Sequence, residues 1–515
     1  MRKNILTVLL ALSTQLMAQN LECPTHVYSL PGKPFMHKLV TDEGHRVNAV
    51  KGLPACMKLD VTTRDYAFIH GTAPVAPGTY TYTAIIDQYT PQEKEVQCTL
   101  EVRAKLPQPT PFMGLLTWNA FQNNINQEVV TKLAESLVSL GLKDVGYDHM
   151  CIDDQWAAAE RTNGRLIPDT QKFPSFNKLT DHVHKLGLKI GIYSDAAERT
   201  CSEAMPGSWQ YEETDAKDFV KWGFDLLKYD YCGAPAEADS ALFRYSKMSA
   251  ALKKAVKEVG KDPDDFLFYM CEWGDRSPWL WAAESGASCW RATADTRDYW
   301  SDTMYKGGII QSIDRFKRIW AYQGVNRWND ADMLVVGLHG TGYSSNDGGG
   351  DGYQAGLTQD EAQTNFALWC MWSSPLILSN NITNLDGKLN NLTKKEVINT
   401  FWKEDLEIIT NKELIAIDQD PLGQGAEPII DTEHSIAFAK DLSNGDVALS
   451  ITNLSSDMLT LEIPLSNIPG ISEAHTYEIR DLIRHIDLPA LKGTENIKSD
   501  TLQAHQTQVF RLHKK

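Results

Sequence analysis

The sequence predicts a multidomain chain built on a central (β/α)8 barrel, flanked by an N-terminal β-sandwich and a C-terminal antiparallel β-sandwich. Three observations carry that prediction. At 515 residues the chain exceeds what one domain usually holds. Between about residues 111 and 425, a helical stretch, a glycine and an apolar strand recur in that order, which is a βα signature. On either side of this region, turn signals separate short runs rich in Thr, Tyr, Val and Ile. Hydrophobic residues at 42% and charged residues at 23% suit a globular chain and exclude a disordered one.

Taken in order, residues 1–18 read as a signal peptide. Arg2 and Lys3 precede an apolar stretch from Ile5 to Met17, and Ala18 offers a small residue for cleavage. The stretch is short for a bilayer, and no later segment reaches eighteen apolar residues, so no membrane anchor is expected. The chain is therefore expected to be periplasmic or secreted. Export permits disulfides, and nine cysteines leave at least one unpaired. No C-x-x-C pair supports a zinc ribbon or a thioredoxin-like site. A net charge of −17 argues against nucleic acid as a partner.

Residues 20–105 are expected to be all-β, with Pro31-Gly32 and Pro77-Gly78 as turns and Thr79 to Ile86 alternating as a half-buried strand, and the stretch from Leu53-Pro54 through Gly71-Thr72-Ala73-Pro74 to Thr79-Tyr80 resembles an immunoglobulin-like sandwich. Ala104 to Pro111, with three prolines, reads as a stiff linker. Residues 106–425 hold the barrel. Helices closed by Gly141, Gly187 and Gly223 lead into strands ending at Asp153, near Asp195 and at Asp230, and further strands are expected at 112–118, 266–272, 287–293, 326–335 and 374–379. Those eight strands fit a closed barrel. A doubly wound sheet lacks support, since no G-x-G-x-x-G follows the first strand. Residues 426–515 return to β structure, with strands at Ser435–Phe438, Val447–Thr452, Leu459–Ile463 and Gln508–Leu512.

Barrel active sites lie where the strands finish. Here the strands finish on acids: Asp153-Asp154, Asp195, Asp230, Glu272, Asp295, and Asp330 with Asp332. One such acid is ordinarily a helix cap or turn residue; six ends converging on one rim ask for more. A divalent-metal site gathers acids and often histidine, whereas a glycosidase uses one ionised and one protonated carboxyl. His149 lies inside strand two, not at its end, which disfavours a transition metal; no metal and no cofactor are expected. Lys228 and Asp230 share a face of one strand, and a nearby ammonium favours the ionised carboxylate a nucleophile needs. A structural ion pair explains the same spacing.

Several blocks resemble the signatures of glycoside hydrolase family 27: Met113-Gly114-Leu115-Leu116-Thr117-Trp118-Asn119, Cys151-Ile152-Asp153-Asp154-Gln155-Trp156, Lys228-Tyr229-Asp230-Tyr231-Cys232, Cys271-Glu272-Trp273-Gly274, Trp290-Arg291-Ala292-Thr293-Ala294-Asp295 and Trp328-Asn329-Asp330-Ala331-Asp332-Met333. Ser374 to Asn380 and Ala416 to Gly423 continue the series in family order. The resemblance implies an α-galactosidase with Asp230 as nucleophile and Asp295 as acid/base, acting by a retaining mechanism. It implies that Trp118 lines the sugar pocket and that Asp153 and Asp154 bind the 4- and 6-hydroxyls. Tyr193 and Lys228 match further pocket positions, while Glu272, Arg291, Asp332 and Met333 match positions around the 2-hydroxyl and the acid/base. It also implies two disulfides, Cys201–Cys232 and Cys271–Cys289. The pairing of Cys23, Cys56 and Cys98 stays open.

A retaining mechanism needs its two carboxyls roughly 5 Å apart. Asp230 and Asp295, from strands four and six, are expected to face each other across the barrel mouth. Asp295 must hold its proton, which burial or the neighbouring charge of Asp230 would favour. The expected partner is a carbohydrate with terminal α-galactose. Glu272 favours galactose over N-acetylgalactosamine, whose enzymes carry small residues there, and the intact Asp153-Asp154 pair disfavours β-L-arabinopyranoside. A non-catalytic carbohydrate-binding protein is the alternative from a different class. Two features depart from familiar members: the glycine-rich segment 337–353, read as a surface loop, a leaving-group rim or a weak calcium loop, and Asp275-Arg276 in the pocket wall.

Overall fold

The computed structural model describes residues 21–303, 305–340, 356–386 and 400–515. The signal-peptide expectation and most of the glycine-rich segment lie outside the described residues. The chain divides into two compact units, Met1–Leu106 and Pro107–Lys515.

The N-terminal unit holds two sheets. One has the strand order His26–Ser29, Lys94–Val102, Gly78–Ile86, Val47–Lys51; the other runs Pro34–Leu39, Ala67–Thr72, Met57–Asp60. Alternation along Lys94–Val102 buries Val96, Cys98, Leu100 and Val102 and turns Glu95 and Gln97 outward, as a half-buried strand requires. The sheets are joined by a buried hydrogen bond between His37 Nδ1 and the Tyr82 hydroxyl at 2.6 Å.

In the second unit, eight parallel strands form one sheet: Met113–Leu116, His149–Cys151, Lys189–Asp195, Leu226–Asp230, Leu267–Met270, Cys289–Arg291, Trp328–Asp330 and Leu376–Leu378. Consecutive strands pair from the first to the seventh, and the eighth pairs back with the first. The seam between seven and eight is closed by the bridge Leu334↔Leu378, with Leu334 N donating to Ile377 O at 2.7 Å. Every strand expected from sequence is present. Gly141, Gly187 and Gly223 follow their helices with φ of 73°, 73° and 93°, a left-handed turn that costs glycine little.

Amphipathic helices Gln127–Ser139, Phe176–Lys185 and Glu212–Lys221 cover the early strands, capped in the first two cases by Asn126 and Ser175. The crossover from strand five to six carries only 3-10 turns, Pro278–Leu280 and Ala282–Ser285. Pro278 and Gly286 leave that short stretch no room for a full helix. Inside the barrel, Phe112, Leu116, Cys151, Leu226, Leu267, Tyr269, Cys289, Trp328, Met333 and Ile377 form one packed cluster, so the interior is a core and not a channel.

The stiff-linker expectation holds only in part. Gln108 is buried, accepts from Trp328 Nε1 at 2.9 Å and from Asn326 N at 3.1 Å, and so belongs to the barrel. The C-terminal six-stranded antiparallel sheet runs Glu427–Asp431, Ser435–Asp441, Val447–Asn453, Thr507–Lys514, Thr476–Asp481, Ile486–Lys492. It packs on helix Gln359–Trp372: Trp372 meets Phe438 edge to face, and buried Lys440 donates to Cys370 O, Ser373 Oγ and Ile417 O.

Close packing between strands one and two makes a testable point. A Cβ on Gly114 would stand 2.6 Å from the His149 carbonyl oxygen, so Gly114→Ala is expected to destabilise the barrel by about 1–3 kcal/mol. A lowered midpoint in chemical denaturation checks this.

Candidate active site

The strand ends meet as the barrel rule requires. Register pairs Tyr193 with Lys228 and Asp195 with Asp230 across strands three and four, and Arg291 with Asp330 across six and seven. Lys228 and Asp230 project to the same side of strand four. The Lys228 ammonium is buried, lies 2.8 Å from Asp153 Oδ2 and faces the Tyr193 ring. Asp230 is buried as well; Oδ2 accepts from the Tyr193 hydroxyl at 3.0 Å and Oδ1 from the Tyr231 amide at 3.3 Å. Burial pushes its pKa up to about 6, with Asp295 and Asp153 adding to the rise and Lys228 opposing it. The ammonium does favour the charged form, but desolvation outweighs it.

Strand six organises the other carboxyl. Arg291 Nη1 lies 2.8 Å from Asp332 Oδ1, and Nη2 is 3.0 Å from Asp295 Oδ1. Asp332 sits in a left-handed conformation, φ 76°, and its Oδ2 accepts from the amide of Thr296, the residue after Asp295. Arg291 and Asp332 therefore hold Asp295 from both its side chain and its backbone. Three residues further on, Asp298 accepts from Gly340 N and Leu357 N, near both ends of the glycine-rich segment. The Asp295 side chain is 47% exposed. Its charge raises the pKa of Asp230, which puts the two carboxyls within electrostatic reach. Strands four and six flank strand five, and Asp295 follows strand six on its outgoing loop.

The other acids are held as firmly. Asp153 binds Lys228 and accepts from the Asp154 amide at 2.8 Å. Asp154 accepts from Gln155 N and Ser202 N, and burial raises its pKa. Asp195 accepts from Ala197 N and Cys232 N, and burial together with Asp230 holds its pKa well above the usual range. Asp330, pushed up to about 7 by burial, accepts from the Tyr269 hydroxyl. Trp118 is partly exposed at the start of the short helix Trp118–Phe121 and packs on the interior cluster.

One sequence expectation needs correction, and three expected pocket residues lie buried. Cys201 and Cys232 are disulfide-bonded, but Cys271 and Cys289 are free buried thiols. Cys289 pairs laterally with Tyr269, which puts Cys271 one barrel layer higher. There Arg291 Nη1 donates to its sulfur at 3.5 Å. A diagonal of that kind exceeds the reach of a disulfide. Glu272 has no accessible surface, burial pushes its pKa up to about 7, and its oxygens accept from Arg276. Asp332 likewise has none, so it acts through Arg291 and Thr296. Met333 is buried in the interior cluster, with little surface for a ligand. Sequence reasoning missed Tyr231, Tyr269 and Thr296 as partners of these acids; nothing local in the sequence marks them.

Asp195, Cys201, Asp230 and Cys232 bring ligand atoms within 4.8 Å of one another. Sulfurs joined in a disulfide are not thiolates, so that donor set reduces to two carboxylates and does not fit a metal. A cleft of about 960 Å³ opens beside Asn123, Gln127 and Lys172; the acids do not line it.

A barrel presenting one buried carboxyl at the end of strand four and one half-exposed carboxyl just past strand six is the frame of a two-carboxyl glycoside hydrolase. Residues 110–420 match the family model described as alpha galactosidase A, and 432–512 match the alpha galactosidase C-terminal beta sandwich domain. The chain belongs to the α-galactosidase (melibiase) family, glycoside hydrolase family 27. It is 35% identical over 394 residues to an alpha-galactosidase of Cyamopsis tetragonoloba, covering 76% of this chain and 84% of that one. Alpha-galactosidase I of Mortierella vinacea aligns with a TM-score of 0.66 at 30% identity, covering 79% of this chain and 97% of its own. A solved Bacteroides fragilis protein aligns over 96% of this chain and 97% of its own, with a TM-score of 0.68 at 32% identity.

The thiol inventory is directly measurable. The unfolded, unreduced chain is expected to titrate seven thiols, the free cysteines of the folded structure, rising to nine after reduction. Five before reduction, with Cys271 and Cys289 recovered in one disulfide-linked peptide pair, would restore that bond.

Proposed function

We propose that the chain is a retaining exo-α-galactosidase, periplasmic or secreted, that removes terminal α-D-galactosyl residues from oligo- or polysaccharides. The observation that carries this is the asymmetric pair. Asp230 is buried among Lys228, Tyr193 and the Tyr231 amide, while Asp295 is half exposed and held by Arg291. Above about pH 6, Asp230 is an anion aimed at the mouth, which suits attack on the anomeric carbon. Asp295, open to an incoming ligand, protonates the departing glycosidic oxygen as the C1–O bond breaks and the Asp230–C1 bond forms. In the second step Asp295 takes a proton from water, whose oxygen displaces Asp230 from C1.

Asp153 and Asp154, reaching the 4- and 6-hydroxyls, leave the chain no way to continue at those positions, which supports action on terminal residues. Trp118 offers the sugar an apolar face. Likeness to α-galactosidases supports galactose as the sugar. Among the described residues, no helix is long and apolar enough to cross a membrane.

Four measurements test the reading. Asp230→Ala is expected to abolish turnover, and Asp295→Ala to lower kcat/KM on an oligosaccharide by about 100- to 10,000-fold; wild-type rates in either would overturn the assignment. Side-by-side nitrophenyl α-galactoside, α-N-acetylgalactosaminide and β-L-arabinopyranoside assays identify the sugar, and α-galactose as the first product by NMR identifies retention. The acid limb of kcat/KM is expected near pH 6, because Asp230 is protonated below it. Lys228→Met removes the ammonium that lowers this pKa, so the limb moves to higher pH.

A further inference from the structure

The segment that carries Asp295 out of strand six runs along the chain that leaves strand seven. Thr296 N donates to Asp332 Oδ2 at 2.6 Å, and Thr296 Oγ1 to Ala331 O at 3.1 Å. Arg297 N donates to Gly307 O at 2.7 Å, and a Cβ on Gly307 would run into the Asp295 carbonyl oxygen. The next anchor is Asp298, whose side chain is buried. Its Oδ2 accepts from Gly340 N at 2.7 Å and its Oδ1 from Leu357 N at 2.9 Å. Gly356 has φ 75°, and a Cβ there would strike Asp298 Oδ2. One carboxylate thus clasps two separate stretches of the chain beyond strand seven.

We propose that Asp298 is a positioning residue for Asp295, fixing the strand-six exit so that the acid/base carboxyl stands where the glycosidic oxygen arrives. This rests on the acid/base role proposed for Asp295. Arg291 sets which way that half-exposed carboxyl points, whereas the loop sets where its backbone stands. The two contacts at Thr296 hold the first step of the loop, and Asp298 holds its continuation. A displacement of about 1 Å in a reacting group can cost about 100-fold in rate, even when its cause lies outside the chemistry. The clasp needs a carboxylate, because two amides converge on one side chain. Asparagine accepts at one oxygen only and turns an N–H toward the second amide, which then stays buried without an acceptor.

The test reads kcat/KM on aryl α-galactosides, from 2,4-dinitrophenyl to phenyl, for wild type, Asp298→Ala, Asp298→Asn and, as reference, Asp295→Ala. Dinitrophenolate departs without a proton and phenolate needs one, so the phenyl substrate reports on the acid. Asp298→Ala is expected to lose about 10- to 100-fold on the phenyl substrate and far less on the dinitrophenyl one, following the trend of Asp295→Ala. Asp298→Asn, which keeps the size and one acceptor, is expected to show the same trend more weakly, and decides the question if the alanine variant fails to fold. Equal losses on every substrate, or none, would mean a merely structural carboxylate and overturn the inference alone. An Asp295→Ala variant that loses no more on phenyl than on dinitrophenyl would overturn the acid/base reading, and this inference with it.

Discussion

Desolvation of carboxylates is the constraint around which the barrel rim is arranged. Asp153, Asp195, Asp230, Glu272, Asp330 and Asp332 are all buried, and an unpaired buried anion is costly enough that it protonates instead. Lys228 and Arg291, themselves buried, supply the positive charge, each facing acids from two or more strands. Backbone amides and tyrosine hydroxyls supply the rest. The balance is left incomplete at Asp230, whose pKa stays up at about 6. A carboxylate stabilised too well would be a poor nucleophile; one stabilised too little would be uncharged.

The same economy explains why Asp295 differs. It lies beyond strand six on a loop, outside the buried network, yet Arg291 and Asp332 fix both its side chain and its next amide. In the proposed role of acid and base, Asp295 needs access to water and ligand, but it cannot wander. Rigid neighbours with an exposed tip meet both demands.

The sequence made the barrel legible because helix, glycine and apolar strand follow one another at close spacing, and all eight expected strands are present. The acids were legible for the same reason, since each lies at or just past a strand end. What stayed hidden depends on layers and on partners distant in sequence. Cys271 and Cys289 lie at a plausible sequence separation for a bond, and only the lateral pairing of Tyr269 with Cys289 puts them at different heights. Glu272 reads as a pocket acid from its place after strand five, and nothing there shows that Arg276, four residues on, donates to both its oxygens. No periodicity marks the buried Gln108, whose partners Asn326 and Trp328 lie more than two hundred residues away.

The seam of the barrel has a bearing on durability. Strands seven and eight meet through the bridge Leu334↔Leu378, a light stitch beside the continuous ladders elsewhere. Strand seven ends at Asp330 and leads directly into Asp332, which anchors Arg291. On heating, the seam is the natural place for the wall to part, a local opening below the global transition. Loss of catalytic competence should then run ahead of the cooperative melt, while the sandwich and most of the wall remain intact.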